Sequence, residues 1–180
     1  HELIKDMKIL LATEKPFAKA AVDGMRKIIE DAGYQMALLE KYTDNSQFLE
    51  AVADVDGLII RSDKVTAEVV EAAKNLKIVV RAGAGYDNVD LEACTKRGIV
   101  VMNTPGQNSN AVAELALGMM IFMARNRFNP GTGSELQGKT LGIHAYGNVG
   151  RLVGLKGKAL GMTVYAYDPF ITDKAYFEKD

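Results

Sequence analysis

A glycine-containing turn followed by an acidic residue is the part of the sequence best suited to chemistry. Residues 140–150 read as an apolar strand, the pattern Ala-x-Gly-x-x-Gly and the start of a helix, and Asp168 follows eighteen residues later. Backbone N–H groups at a helix N-terminus lack helical partners and carry positive dipole charge, so they suit a pyrophosphate. A carboxylate at this spacing can bind ribose hydroxyls and disfavours a 2′-phosphate. The segment therefore predicts a dinucleotide site that prefers NAD to NADP.

The residues of this turn have distinct expected roles. Gly147 would let phosphates approach the backbone, and Gly150 would let the helix pack closely on the strand. Ala145 replaces the usual first glycine, and alanine fits the turn only if its φ is negative. We expect His144, inside the strand, to be packed and hydrogen-bonded rather than catalytic. The alternatives are a structural glycine turn without a ligand and an Asp-Pro turn at Asp168.

A second candidate loop, residues 81–90, follows another apolar strand and contains Gly83 and Gly85. These glycines leave consecutive backbone N–H groups accessible, which can form a concave site for a carboxylate. Arg61 and Lys64 follow a neighbouring strand in the same way and could meet a second anionic group. The alternative is an exposed loop with solvated charges. The sequence offers no Ser/His/Asp set and no metal-ligand spacing, so we expect no metal site.

Composition excludes several partners. With 48% hydrophobic residues, 25% charged residues and a net charge of −1, the chain resembles ordinary soluble globular proteins. Without a basic stripe, we expect no nucleic acid and no anionic membrane surface as a partner. The longest apolar segment, residues 111–124, is too short for a membrane span and contains Glu114. The single cysteine, Cys94, cannot form an intrachain disulfide, so we expect a reducing cytoplasm.

Strands that end at these loops must position the candidate residues, and the apolar pattern predicts such strands. Apolar runs at residues 8–12, 35–39, 57–60, 77–80 and 99–102 alternate with helical patterns at residues 17–32, 46–52, 66–73 and 91–97. We expect Ser46 and Thr66 to cap the second and third helices. Five short apolar strands alternating with helices predict an α/β fold with a doubly wound parallel sheet.

The alternation stops after Met102. Residues 103–108 have turn chemistry, and residues 109–128 predict a helix that is apolar almost all round. We therefore expect one domain over residues 1–103 and a second over residues 104–180. Because the helix needs burial on several sides, it predicts a homodimer contact.

Read together, these segments resemble the D-isomer-specific 2-hydroxyacid dehydrogenases over roughly residues 7–180. The segments that carry the resemblance are residues 59–62, 80–90, 103–114, 138–142 and 143–169. The resemblance implies a flavodoxin-like substrate domain followed by the first part of a Rossmann NAD-binding domain. It is strongest to members that oxidise 3-phosphoglycerate to 3-phosphohydroxypyruvate in serine biosynthesis, which implies NAD and a phosphorylated substrate.

The resemblance also implies roles for particular residues. The implied substrate contacts are Arg61, Arg81, Gly83, Ala84, Gly85 and Asn108. The implied cofactor contacts are Ala84, Ala145, Gly147, Asn148, Val149, Gly150 and Asp168. The amides of residues 83–85 would face the substrate carboxylate and the nicotinamide, and the helix from Ser109 would cross the dimer axis.

The family's catalytic arginine, histidine and glutamate match no residue of this sequence. We therefore expect no catalytic residue in this chain and no turnover by these 180 residues alone. Two other functions stay open. One is a dehydrogenase for glycerate, glyoxylate or lactate, and the other is a non-catalytic NAD-sensing binding protein that assembles through the Ser109 helix.

Overall fold

A computed structural model describes residues 6–179, and the chain divides into two compact units between Pro105 and Gly106. The division lies two residues after the expected boundary. Unit 1 comprises β1 (Lys8–Thr13), α1 (Lys19–Asp31), β2 (Gln35–Glu40), α2 (Asn45–Val52), β3 (Gly57–Ile60), α3 (Ala67–Ala72), β4 (Ile78–Arg81), α4 (Leu91–Lys96) and β5 (Val100–Asn103). No helix within the described residues is long and apolar enough to cross a membrane.

The five strands of unit 1 form one parallel sheet in the order β2-β1-β3-β4-β5, which confirms the predicted doubly wound architecture. The direction of chain progression reverses between β1 and β3. The register aligns Ile60 with Arg81 and Arg81 with Asn103. The loops that follow β3, β4 and β5 therefore leave the sheet side by side, at its carboxyl edge.

The centre of the sheet is buried on both faces, as continuous apolar strands require, whereas edge strand β5 exposes one face. Leu10 and Leu11 are adjacent on β1, point to opposite faces and are both buried. Leu10 belongs to a cluster with residues of β3, β4 and helices α2, α3 and α4, including Phe48, Leu58 and Val79. Burial of this cluster supplies the main apolar stabilisation of unit 1 and holds the strand ends in place.

The cap of α2 differs from the expected one. Asp44, not Ser46, is the capping residue, because its carboxylate accepts a hydrogen bond of 2.7 Å from the Ser46 amide. The Gln47 side chain accepts from the Asp44 amide in return, which completes a capping box. The hydrogen bond from Ser46 lowers the pKa of the Asp44 carboxyl. The cap of α3 is Thr66, as expected.

Unit 2 comprises α5 (Ser109–Ala124), a 3₁₀ turn at Asn126–Phe128, β6 (Thr140–His144), α6 (Asn148–Ala159), β7 (Thr163–Tyr167) and α7 (Lys174–Glu178). Strands β6 and β7 pair in parallel. Helix α5 is shorter than the expected span 109–128 because Asn126, Arg127 and Phe128 all have positive φ. It packs against α6, where Ala113 and Leu117 are buried beside Val153.

Candidate functional site

The loop after β4 presents two backbone amides that donate to no residue in the described part of the chain. The Gly83 carbonyl accepts from the Thr104 amide at 2.9 Å, and the Ala84 carbonyl accepts from Asn103 Nδ2 at 2.7 Å. Both carbonyls therefore point toward the end of β5. In a trans peptide the following N–H points the opposite way, so the Ala84 and Gly85 amides face away from β5. Neither amide donates to any described residue, and both residues are exposed.

The Gly83 amide is less available than the sequence suggested. It donates to the Arg81 carbonyl at 2.9 Å, closing a tight turn around Ala82. Two of the three expected amides, those of Ala84 and Gly85, are therefore available for a ligand. Paired amides of this kind suit one carboxylate.

The Arg81 side chain lies over this loop. Its Nη1 donates to the Ala82 carbonyl at 3.2 Å, and a Cβ added to Gly83 would lie 1.2 Å from the same nitrogen. Only glycine at position 83 leaves room for the guanidinium in this place. Arg81 Nε is buried and has no acceptor among the described residues. A buried donor without a partner is costly, and a ligand can reach this nitrogen only after the side chain moves, so the donors that remain for an anion are those of the guanidinium end.

Arg61 follows β3 and lies beside the start of the Arg81 loop, since Ile60 pairs with Arg81. Its side chain is exposed, and the guanidinium carbon lies 5.7 Å from the centroid of the Phe17 ring. A guanidinium held on an aromatic face keeps its donors free for a phosphate or carboxylate. Unit 1 thus brings both expected arginines to one edge of the sheet.

Three residues that the sequence analysis did not single out hold these loops together. Asp63 is 5% exposed, and its Oδ1 accepts from the Glu14 amide at 2.9 Å and from the Tyr42 hydroxyl at 2.6 Å. Asn88 and Asn103 use their side-chain amides to bind carbonyls of the loops after β3 and β4. All three lie in runs of turn residues, where nothing in the sequence distinguishes a buried hydrogen-bonding group from a solvated one.

Asp63 also decides which strand-end crevice can bind an anion. In a doubly wound sheet, ligands commonly bind where the strand order reverses, which is between β1 and β3 in unit 1. Asp63 bridges that crevice through the Glu14 amide. The adjacent cavity of about 380 Å³ is lined by Glu14, Asp44 and Asp63 among other residues. Lys64 also lines this cavity, but the three carboxylates outnumber it, and the net negative charge disfavours an anionic substrate there.

Tyr42 is tied to this buried carboxylate, and its titration offers a test of the contact. Burial raises the pKa of the Tyr42 hydroxyl, and the hydrogen bond and negative charge of Asp63 raise it further. Its folded pKa therefore exceeds the unfolded value of about 10. The stability that this shift contributes is complete below about pH 10 and is lost as the pH rises further.

We expect the wild-type free energy of unfolding to fall more steeply above about pH 10 than that of Tyr42→Phe. The difference in slope stays below about 1.4 kcal/mol per pH unit, the limit for one proton, because solvent screens part of the effect. Urea denaturation of both proteins between pH 8 and 11 measures the slopes. Equal slopes would contradict the raised pKa of Tyr42 that burial and Asp63 together produce.

The glycine turn of unit 2 contains a strained residue. Ala145 has φ +80°, so the condition that alanine fits this turn only with a negative φ does not hold here. Its amide donates to the Tyr167 carbonyl at 2.7 Å, which fixes the start of the turn against the end of β7. A left-handed conformation costs an alanine about 1–2 kcal/mol, and the surrounding hydrogen bonds must offset that cost.

The N-terminus of α6 is free of side-chain caps. Gly147 is the capping residue, and its carbonyl accepts from the Arg151 amide at 3.0 Å. The amides of Asn148, Val149 and Gly150 donate to no described residue. This twelve-residue helix therefore presents three consecutive amides and its positive dipole end to a ligand.

The two glycines of this turn are required for different reasons. A Cβ on Gly147 would meet no atom within 4 Å, so the space beside it is open to a ligand. A Cβ on Gly150 would lie 2.1 Å from the Ala145 carbonyl oxygen and 3.2 Å from Ile143 Cγ2. Gly150 therefore permits the close approach of α6 to β6 that the sequence predicted.

Asp168 stands at the end of β7 and is partly buried. Its Oδ2 accepts from the Tyr146 amide at 2.9 Å, and its Oδ1 accepts from the Phe170 amide at 2.9 Å. The carboxylate thus stabilises the glycine turn directly. Each oxygen has a second lone pair, which leaves capacity to accept from a ribose hydroxyl.

Two other expected residues are placed as follows. Asn108 precedes α5 with an exposed side chain that makes no capping hydrogen bond. The His144 side chain is exposed, and no described residue hydrogen-bonds to its ring; the ring centroid lies 5.4 Å from that of Tyr167. The expectation of a packed, hydrogen-bonded His144 was wrong, because the strand alternation turns this side chain to the exposed face of β6.

Comparisons with known proteins show the family to which this chain belongs. The model of the D-isomer specific 2-hydroxyacid dehydrogenase catalytic domain matches residues 13–178. D-3-phosphoglycerate dehydrogenase of Pongo abelii is 44% identical over 161 residues, which cover 82% of this chain and 30% of that protein. Hydroxypyruvate reductase of Thermotoga maritima is 40% identical over 149 residues, covering 75% of this chain and 49% of that protein.

A solved structure is also similar. The crystal structure of NAD⁺-bound 3-phosphoglycerate dehydrogenase of Entamoeba histolytica has a TM-score of 0.90 and 53% sequence identity, and the match covers 94% of this chain and 56% of that one. The chain therefore spans less than two thirds of the length of each of these relatives. Because the family model matches most of the chain and these identities are high, the chain belongs to the D-isomer-specific 2-hydroxyacid dehydrogenase family.

Proposed function

We propose that the protein carrying this chain oxidises 3-phosphoglycerate to 3-phosphohydroxypyruvate with NAD, a step of serine biosynthesis. The observation that carries the proposal is the loop after β4. It combines two amides that donate to no described residue, those of Ala84 and Gly85, with the Arg81 guanidinium that lies over the same loop. A small acid with a carboxylate and a phosphate has two anionic groups to match these donors.

In this proposal unit 1 binds the substrate. The amides of Ala84 and Gly85 bind its carboxylate, with Gly83 giving the backbone room for Arg81. The guanidinium groups of Arg61 and Arg81 bind the phosphate, for which planar forked donors are well suited. Asn108 stays a proposed substrate contact, and only the family resemblance supports it.

Unit 2 supplies the first part of the NAD-binding domain, and its residues fit the cofactor. The free amides of residues 148–150 suit the pyrophosphate, the open space beside Gly147 permits its approach, and Asp168 can accept from the adenosine ribose. A carboxylate at this place disfavours the 2′-phosphate of NADP. NAD, when bound, supplies the hydride acceptor for oxidation of the substrate alcohol. The Entamoeba structure contains NAD⁺, which supports this choice.

We further propose that the protein is a cytoplasmic homodimer that pairs through α5. The helix buries Ala113 and Leu117 against α6 but exposes much of its remaining apolar surface. The exposed apolar residues of α5 are Val112, Leu115, Met119, Ile121, Phe122 and Met123. A patch of this kind on a helix is typical of an interface between protein chains. The only cysteine, Cys94, is buried as a free thiol, which suits a reducing compartment.

Another 2-hydroxy acid is the second candidate substrate. The 40% identity to a hydroxypyruvate reductase favours this alternative, since that name involves no phosphate. A substrate without phosphate would need the amides of Ala84 and Gly85 but fewer cationic groups. The number of arginines at this edge therefore favours the phosphorylated acid.

Steady-state kinetics of the natural protein that carries this sequence test the proposal. We expect kcat/KM for 3-phosphoglycerate to exceed that for D-glycerate and D-lactate by at least about tenfold, the effect of one charged contact. We also expect NAD to be preferred to NADP by a similar factor. Higher kcat/KM for an unphosphorylated acid would favour the second candidate, and NAD binding without turnover would favour an NAD sensor. Residues 1–180 alone should form no NADH, since no catalytic residue is assigned to them.

A further inference from the structure

The turn that carries Arg61 is held on both sides by hydrogen bonds to the side chains of Asp63 and Asn88. On one side, the Arg61 amide donates to Asp63 Oδ2 at 3.4 Å. On the other side, Asn88 Nδ2 donates to the Arg61 carbonyl at 3.2 Å and to the Asp63 carbonyl at 2.8 Å. The backbone of residues 61–63 is thus restrained by hydrogen bonds at both of its ends.

Each of these two side chains connects the Arg61 turn to a different part of the sheet edge. The Asp63 carboxylate also accepts from the Glu14 amide after β1 and from the Tyr42 hydroxyl after β2. Tyr42 is itself fixed by stacking on Phe48, with ring centroids 5.4 Å apart. The loops after β1, β2 and β3 therefore share one buried carboxylate.

Asn88 connects the Arg61 turn to the loop that begins at Arg81. The Val65 amide donates to the Asn88 carbonyl, and Val65 pairs with Val89, so the two loops run together beyond the sheet. Asn88 Oδ1 is buried without a donor among the described residues. Both contacts of Nδ2 are carbonyls, so exchanging the amide ends would lose them. Burying Oδ1 without a partner costs free energy, and this orientation of the amide is kept nonetheless. We take this as a sign that the two contacts of Nδ2 stabilise the loop by more than that cost.

We propose that Asp63 and Asn88 are positioning residues that hold Arg61 at a fixed distance from the Arg81 loop, for binding of a substrate with two anionic groups. This inference rests on the proposed function. Asp63 fixes the backbone conformation of the turn that contains Arg61. Asn88 fixes the distance between the loops that carry Arg61 and Arg81. Neither side chain touches the substrate. Preorganised donors bind a rigid dianion more tightly than mobile ones, because less ordering accompanies binding.

The test uses Asp63→Asn and Asn88→Asp in the natural protein. Both variants keep side-chain size, but the first removes the charge that three donors share and the second turns a donor into an acceptor facing two carbonyls. The matched controls are Asp54→Asn, an exposed carboxylate that pairs with Lys8, and Asn45→Asp, an exposed amide on α2. Tyr42→Phe is a milder variant, which removes one partner of Asp63 if the others fold poorly.

We expect the KM for 3-phosphoglycerate to rise about tenfold or more in both variants, with kcat within about twofold and the KM for D-glycerate unchanged. The controls should match the wild type. Proportional losses of kcat for both acids would mean that Asp63 and Asn88 are merely structural and would overturn the inference. An unchanged KM for 3-phosphoglycerate would overturn it as well.

A second measurement separates this inference from the proposed function. Binding of inorganic phosphate is followed through the amide chemical shift of Arg61 in ¹⁵N-labelled protein. We expect the two variants to bind phosphate about tenfold more weakly than the wild type. If the wild type binds phosphate but does not oxidise 3-phosphoglycerate, the proposed reaction fails while the positioning roles stand. Equal phosphate affinity in wild type and variants refutes the positioning roles alone.

Discussion

Replacement of Gly150 with alanine is expected to lower both the stability of unit 2 and its affinity for NAD. The new methyl group would lie 2.1 Å from the Ala145 carbonyl oxygen, and backbone cannot move aside as a flexible side chain can. Overpacking of this kind costs about 1–3 kcal/mol, and sometimes more. Moving α6 away from β6 would also displace the three amides proposed to bind the pyrophosphate. We expect the Kd for NAD to rise by at least about tenfold.

Gly147→Ala separates binding from folding at the same turn. Gly147 has φ −83°, and its added Cβ would meet no atom within 4 Å, so the free energy of unfolding should change by less than about 0.5 kcal/mol. The methyl group would still occupy the open space where the phosphates are proposed to approach. Calorimetry should show weaker NAD binding by about tenfold or more.

Gly142→Ala is the matched control, since its Cβ also meets no atom within 4 Å and it lies on β6 away from the turn. It should keep wild-type stability and NAD affinity. Unchanged NAD affinity in Gly147→Ala would remove the proposed pyrophosphate site from this turn. Unchanged affinity in Gly150→Ala would show that close packing of helix and strand is not required for binding.

The second large effect is expected at Arg81. Arg81→Ala should lower kcat/KM for 3-phosphoglycerate by about 10- to 100-fold, since a hydrogen bond to a charged group contributes about 1.5–3 kcal/mol. The effect should fall mainly on KM, because the guanidinium is proposed to bind phosphate rather than the reacting carbon. The loss for D-glycerate should be less than about threefold.

Gly83→Ala tests the position of Arg81 without removing its charge. The added methyl group would lie 1.2 Å from Arg81 Nη1, so the flexible side chain must move while the backbone need not. We expect a smaller rise in KM than in Arg81→Ala, with little change in stability. Arg26→Ala is the control, since it breaks only contacts of α1 away from this loop, namely an ion pair with Glu30 and a 3.5 Å hydrogen bond to the Met36 carbonyl. Equal losses for both acids in Arg81→Ala would instead assign Arg81 to the carboxylate.

Much of the fold follows from the sequence because buried parallel strands have a simple signature. Four-residue apolar runs such as Gly57–Ile60 stand between helical patterns, and each became a strand of the parallel sheet. Cap positions were harder to predict, since Asp44 and Ser46 can both cap a helix. Which of the two residues caps α2 depends on where the chain leaves β2, and in the structure that residue is Asp44.

At the glycine turn, too, the sequence predicted the order of the elements but not the backbone conformation. The spacing of Gly147, Gly150 and Asp168 predicted a strand, a turn and a helix, and that order is present. The positive φ of Ala145 was not predictable, because it depends on the hydrogen bond to Tyr167 twenty-two residues away. The exposure of His144 likewise depends on which face of β6 and β7 is covered, which no local pattern states.

By itself, the sequence determined that candidate ligand-binding groups stand at strand ends, because apolar runs, glycines and charged residues alternate over short distances. Only the tertiary structure decided which of these groups are available. The Ala84 and Gly85 amides donate to no described residue, because hydrogen bonds from Thr104 and Asn103, about twenty residues away, orient the preceding carbonyls toward β5 and these amides away from it. The roles of Asp63 and Asn88 arise in the same way, since hydrogen-bond partners distant in the chain meet only when the sheet forms.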